Sequence, residues 1–293
     1  MALAKIVRRP NASLRSVTSY IANRSAHSLH DVTLELLQGA IETLRSRQDD
    51  AALHAVRKTC KRIRAALRLM RKCLGPRAYH AENRRVRDAA KPLSALRDAL
   101  VLRRILMSMS AAPGTVQGHF DADYHRLRRV LERRGSRAII MQLEATRRRW
   151  SGRLATDSEA ASAIVGLKKT YKDGRVAFAR SRTANDQALH EWRKQAKYLL
   201  NEVELLRTVF NAKVKGLHRR ADRLAKVLGE DHDLGMLLTK LRRYRAVDPS
   251  LPKLIERRRR KLQARALQLG RRLYRRSARR TGTTIAAALA KSS

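Results

Sequence analysis

Two ten-residue stretches constrain this chain more than anything else in it. Residues 52–61 read A-L-H-A-V-R-K-T-C-K and residues 188–197 read A-L-H-E-W-R-K-Q-A-K, so Ala, Leu, His, Arg, Lys and Lys recur in one register after a shift of 136 residues. Each stretch opens an amphipathic helix. In the first, Leu53, Val56, Cys60, Ile63, Leu67, Met70 and Leu74 step by threes and fours, the spacing of a buried helical seam. In the second, Leu189, Trp192, Ala196, Leu199, Val203, Leu206 and Phe210 do the same. A chain that repeats such a pattern at so long an interval is built on a duplicated unit rather than on short stacked repeats.

One step round from the first seam runs a file of cations: His54, Arg57 and Lys58, Lys61, Arg64, Arg68, then Arg71 and Lys72. From Leu53 to Leu74 there are eight Lys and Arg and no acid. Exposed helices mix their signs, because like charges four residues apart repel. The unmixed file therefore predicts a counter-charge supplied from outside. His190, Arg193, Lys194 and Lys197 stand in the same place beside the second seam.

A second block repeats too. Ala90-Lys91-Pro92-Leu93-Ser94, leading to Leu96-Arg97-Asp98, aligns with Ala225-Lys226-Val227-Leu228-Gly229, leading to Asp231-His232-Asp233, now with a shift of 135.

A helix beginning L-H-x-x-R-K-x-x-K, present twice and each time followed by an x-L-x-x-L-x-D type helix, resembles the CHAD domain, the conserved-histidine α-helical domain. The resemblance spans about residues 27–285. It implies an all-α fold of two pseudo-symmetric four-helix bundles, about 27–150 and 160–285, around a basic central groove or pore. It also implies binding of inorganic polyphosphate without catalysis, with contacts at His54, Arg57, Lys58, Lys61, His190, Arg193, Lys194 and Lys197. Arg64 and Arg68 extend the first file. Arg84, Lys91, Arg219 and Lys226 hold matched positions in the following helices, and line either an opposite wall or a solvated face.

Charge agrees with a polyanionic partner. Lys and Arg number 67 against 25 acids, a net +42, and most are Arg, whose planar fork suits phosphate. Nucleic acid is the alternative partner on charge alone. It is disfavoured by the 12 Phe, Tyr and Trp residues, few for base stacking, and by the lack of a zinc-finger or RNP signature. No apolar run is long enough to span a membrane. Cys60 and Cys73 have no metal-ligand spacing, and their scarcity suggests a reducing, cytoplasmic setting, on polyphosphate granules if the resemblance extends so far.

Neither a Gly-rich phosphate loop nor a nucleophile elbow is present, so no catalytic site, cofactor or metal is expected. The acids Asp98, Glu230, Asp231 and Asp233 read as caps and partners of nearby Arg. His54 and His190 read as phosphate donors whose pKa rises with a bound anion, against a purely structural role at a helix start. His80, His125 and His218 read as packed or hydrogen-bonded core residues.

The expected boundaries follow from breakers. Residues 1–26 read as a basic flexible lead-in, and 286–293 as a tail. Asp49-Asp50 and Asn185-Asp186 cap the two basic helices. Gly75-Pro76 stops the first, with the next helix at about 79–91 and Pro92 kinking or restarting it. Residues 111–114 read as a linker, 119–150 as a basic helix broken at Gly135, and 151–184 as a glycine-bearing bridge. Gly229 breaks the helix that follows the second basic one. Residues 253–280, with 13 Lys or Arg and one Glu, form either a helix lining the groove or an independent basic tail.

Overall fold

The computed structural model describes residues 28–109, 114–152, 159–183, 185–244 and 248–290. Among these, eleven α-helices and no strand are found, so the fold is all-α. The helices are α1 (Leu29–Ser46), α2 (Asp50–Leu69), α3 (Arg71–Ala89), α4 (Lys91–Met107), α5 (Gly114–Val130) and α6 (Ser136–Ser151). They continue as α7 (Glu159–Arg180), α8 (Asp186–Val209), α9 (Lys215–Leu241), α10 (Ser250–Leu273) and α11 (Ala278–Ala290). The lead-in 1–26 and residues 111–113 of the expected linker 111–114 lie outside the described residues, while Gly114 is the first residue of α5.

Local chemistry starts the helices where the caps predict. Ser28 and Asp31 form a reciprocal capping box on α1. The Asp49 side chain accepts from the Ala52 N–H at 2.8 Å, and Asn185 accepts from the Ala188 N–H at 2.7 Å. The seams then bury. Leu53, Val56, Cys60, Ile63 and Leu67 on α2, and Trp192, Ala196, Leu199, Val203 and Leu206 on α8, all lie within one large core.

Within the first half α1 packs on α2 and α6, α2 on α3, and α4 on α5. Further along, α7 packs on α8 and α11, α8 on α9, and α9 on α10. The two halves meet where α2 packs on α8 and on α7, and where α4 packs on α9. A smaller second core fills the far ends of α4 and α9, with Leu102, Phe120, Leu237 and Ile255 at its centre.

The end of the first basic helix differs from the sequence reading, while the restart at Pro92 and the interruption at Gly135 agree with it. Helix α2 ends at Leu69, before Gly75, which sits inside α3 as a kink with φ of 74°. The polypeptide restarts at Lys91 with Pro92 in the first turn of α4, where its missing N–H costs nothing. Gly135 lies in a π turn, Leu131–Gly135, between α5 and α6.

The supposed bridge 151–184 contains the 22-residue α7, whose Ala163, Leu167 and Tyr171 are buried. Its glycines permit close approach: a Cβ on Gly166 would stand 2.7 Å from the Arg68 carbonyl oxygen. Likewise α9 runs unbroken through Gly229. The segment 253–280 is mostly α10, tied down by Arg259, which bonds Asp186 at 2.5 Å and Asp231 at 3.1 Å. The expected tail belongs to α11 as far as Ala290, with Ile285 and Leu289 buried. Finally, His80 and His125 are exposed and lie against Tyr79 and Tyr124 rather than in the core. The half-buried His218 stands in the first turn of α9.

Candidate anion-binding site

Because α2 packs on α8, the two cation files are brought face to face. Lys61 feels Arg57 from its own helix, and Lys197 and Arg193 from α8. Burial first, and then these neighbours, push its pKa down to about 7. Lys197 is pushed down to about 8 by burial, Arg193 and Arg97, against weaker support from Asp222 and Asp233. Arg57 and Arg193 are likewise displaced downward, burial being the main cause. A cation whose proton is held this loosely lies in a site short of negative charge.

Two further helices close the cluster. From α4, Arg97 donates to Asp98 at 2.9 Å and forms a two-pronged bridge to Asp233 of α9 at 2.9 and 3.0 Å. Arg57 donates from Nε to the Ser94 hydroxyl at 3.2 Å. Arg97 is thus answered by two carboxylates. Among the described residues, none lies within ion-pairing distance of Arg57, Lys61, Arg193 or Lys197. The Arg193 Nε is buried without a hydrogen-bond partner among the described residues, a cost that an anion would remove.

The histidines stand at one end of this cluster. His190 and His232 face each other with ring centroids 5.1 Å apart. Although the edge of the ring is exposed, His54 is held down to about 4, by burial of the imidazole and then by Lys58, Arg57 and Arg97. His232 is also held down to about 4, by burial and Arg193. His190 is displaced downward as well. With pKa values displaced in this direction, the imidazoles are neutral at pH 7.

The remaining candidates are spread more widely. Lys58 is half-buried near Arg62 and Glu204, while Lys194 is paired to Glu191 at 2.6 Å. Arg64 donates to Asn83 at 2.9 Å. Arg68 donates to the buried Glu202 at 2.7 Å and lies 4.0 Å above the Tyr198 ring, so its counter-charge is internal. The file on α2 is therefore answered from within along its later turns, contrary to the unmixed pattern in sequence. Arg84, Lys91 and Arg219 are exposed, outside the group of charges that dominates at Lys61 and Lys197. Lys226 is exposed and pairs with Asp222 at 2.6 Å.

The model of the CHAD domain matches residues 29–242. The chain belongs to the CHAD family. The crystal structure of the CHAD domain from the plant Ricinus communis is similar in fold, with a TM-score of 0.56 at 18% identity, covering 92% of this chain and 94% of that one. No curated protein matches the chain in sequence.

In this CHAD protein the site contains two residues that the cation files did not single out, Arg97 and His232. A signal for them existed: they occupy equivalent positions in the second repeated block, Leu96-Arg97-Asp98 and Asp231-His232-Asp233. The acids of that block are held by arginines, Asp233 by Arg97 and Asp231 by Arg259. Among the described residues no three or more His, Cys, Asp or Glu side chains gather as a metal site. Among them, too, no helix is long and apolar enough to cross a membrane.

Proposed function

We propose that this CHAD protein binds inorganic polyphosphate, without catalysing its turnover, at the crossing of α2 and α8. One observation carries the reading: Arg57, Lys61, Arg193 and Lys197 converge there, with both lysines depressed toward neutrality and, among the described residues, no carboxylate paired to any of the four. A chain of phosphates laid along the crossing supplies one negative charge per unit and meets cations from both helices at once. Arg97 and the histidine pair extend the same path, lined by both halves as a basic groove. Each contact displaces a condensed counterion, so binding is multivalent and salt-sensitive. Recruitment to polyphosphate-rich granules follows from the same affinity.

Two features support binding over chemistry and over nucleic acid. The nearby acids are engaged by arginines, which leaves them poorly placed to act as bases or to hold a metal. Among the described residues the Trp, Tyr and Phe side chains are buried or half-buried, so bases find no exposed stacking platform. The test is a competition titration between long-chain polyphosphate and single-stranded or duplex DNA at physiological salt. Preference for polyphosphate should disappear when Arg57, Lys61, Arg193 and Lys197 are replaced by Ala while helicity persists. Equal binding of both polymers, indifferent to the substitutions, refutes it.

A further inference from the structure

A second cationic site lies away from the α2–α8 crossing, where the start of α9 meets the corner between α10 and α11. A cavity of about 490 Å³ opens there, within the range of small-molecule sites. Its apolar surface comes from Val214, Leu217, Leu273 and Ile285, with the Tyr171 ring beside them. Its polar rim comes from Lys213 and Arg220 on one side and Arg272, Arg275 and Arg276 on the other. No Asp or Glu lines it, and none of these five cations has an ion-pair partner among the described residues.

The corner is held in place. The Tyr171 hydroxyl lies 2.9 Å from the Leu273 carbonyl oxygen and 3.1 Å from that of Arg276, which also accepts from Arg175 at 3.1 Å. The arginines are therefore carried on a fixed backbone, while their side chains stay exposed.

We infer that this cavity binds a nucleoside polyphosphate, with the base and ribose over the apolar floor and the phosphates across the arginine rim. An inorganic phosphate chain has no use for an apolar floor, and an uncharged ligand has no use for five unanswered cations. A compact ligand joining a flat, partly apolar body to two or more negative charges satisfies both. Arginine planes stack on bases and also grip phosphates, and the exposed Thr284 hydroxyl at the wall, which donates to the Arg280 carbonyl oxygen at 2.9 Å, keeps its lone pairs to accept from a ribose hydroxyl or a base amine. The inference is independent of polyphosphate binding at the crossing.

The test measures ADP by calorimetry against a full-length variant whose crossing is neutralised by Arg57→Ala, Lys61→Ala, Arg193→Ala and Lys197→Ala. Pyrophosphate and dihexanoyl phosphatidic acid serve as comparators. ADP should bind at least about tenfold more tightly than pyrophosphate, the difference reflecting burial of the base. Arg220→Glu with Arg272→Glu should abolish that binding. Thr284→Trp, which fills the cavity without changing its charge, should abolish it too, while polyphosphate binding by the otherwise unaltered protein persists. Equal affinity for ADP and pyrophosphate, tighter binding of the lipid, or no ADP binding at all overturns the inference.

Discussion

Raising the pH should weaken polyphosphate binding steeply, and the lysines rather than the histidines should be responsible. Burial and neighbouring cations hold Lys61 at about 7 and Lys197 at about 8. At pH 8 Lys61 is thus about one-tenth protonated and Lys197 about half. A phosphate chain across the crossing returns both to the ordinary lysine range, so the complex forms with uptake of about 1.4 protons, and affinity falls about 25-fold per pH unit near pH 8. His54 and His232, near 4 when empty, add to this only at lower pH. The assay is calorimetry at pH 8 in two buffers of different ionisation enthalpy, repeated on Lys61→Met/Lys197→Met. An uptake below about 0.3 proton, or one that survives the double substitution, would falsify the argument.

The same shift has a sign in stability. The unfolded chain holds the Lys61 proton up to about 10.5 and the folded one only up to about 7. The unfolded state therefore binds more protons between those values. The empty protein carries the full penalty below pH 7 and gains stability as pH rises through that window. At 1.36 kcal/mol per unit the gross figure is about 5 kcal/mol, and solvent screening at this half-buried site reduces it to about 2 kcal/mol. Lys61→Met should accordingly raise the melting temperature of the anion-free protein at pH 7 by about 3 °C.

Three other outcomes follow from the packing and the charge. Arg68→Ala should cost about 3 kcal/mol in denaturant unfolding, because Glu202 loses its partner, yet change polyphosphate affinity less than about threefold. A larger loss of affinity than of stability would return Arg68 to the binding path. Gly166→Leu should lower stability by about 3 kcal/mol by pushing α7 off the backbone of α2, whereas Gly39→Ala, with open space around it, should be neutral or stabilising by up to about 1 kcal/mol. Salt titration should show log K falling with a slope of about −3 against log salt, as the four unanswered cations imply at about 0.7 per contact, and a slope near zero would count against ion release.

What the amino-acid order determined by itself was everything governed by near neighbours along a helix. The seams of α2 and α8 and the placing of Arg57, Lys61, Arg193 and Lys197 one step round from buried residues follow from a period of 3.6, and the caps at Asp49 and Asn185 from side chains that accept from the first-turn N–H groups. The all-α class could be read from that periodicity, and the resemblance to the family from the motif L-H-x-x-R-K-x-x-K that recurs at 53–61 and 189–197. What only tertiary structure decided was which charges meet. Arg68 finds Glu202 and Arg97 finds Asp233, partners 134 and 136 residues away, so a file of like charges in sequence is divided into answered and unanswered parts by packing. Glycines divide in the same way. Gly75 turns the chain with a positive φ, but Gly166 and Gly229 lie within helices, the first because α2 presses close and the second with Lys197 alongside. A missing side chain is a breaker where the backbone must turn and a contact surface where another helix must fit, and only the neighbouring helix distinguishes the two.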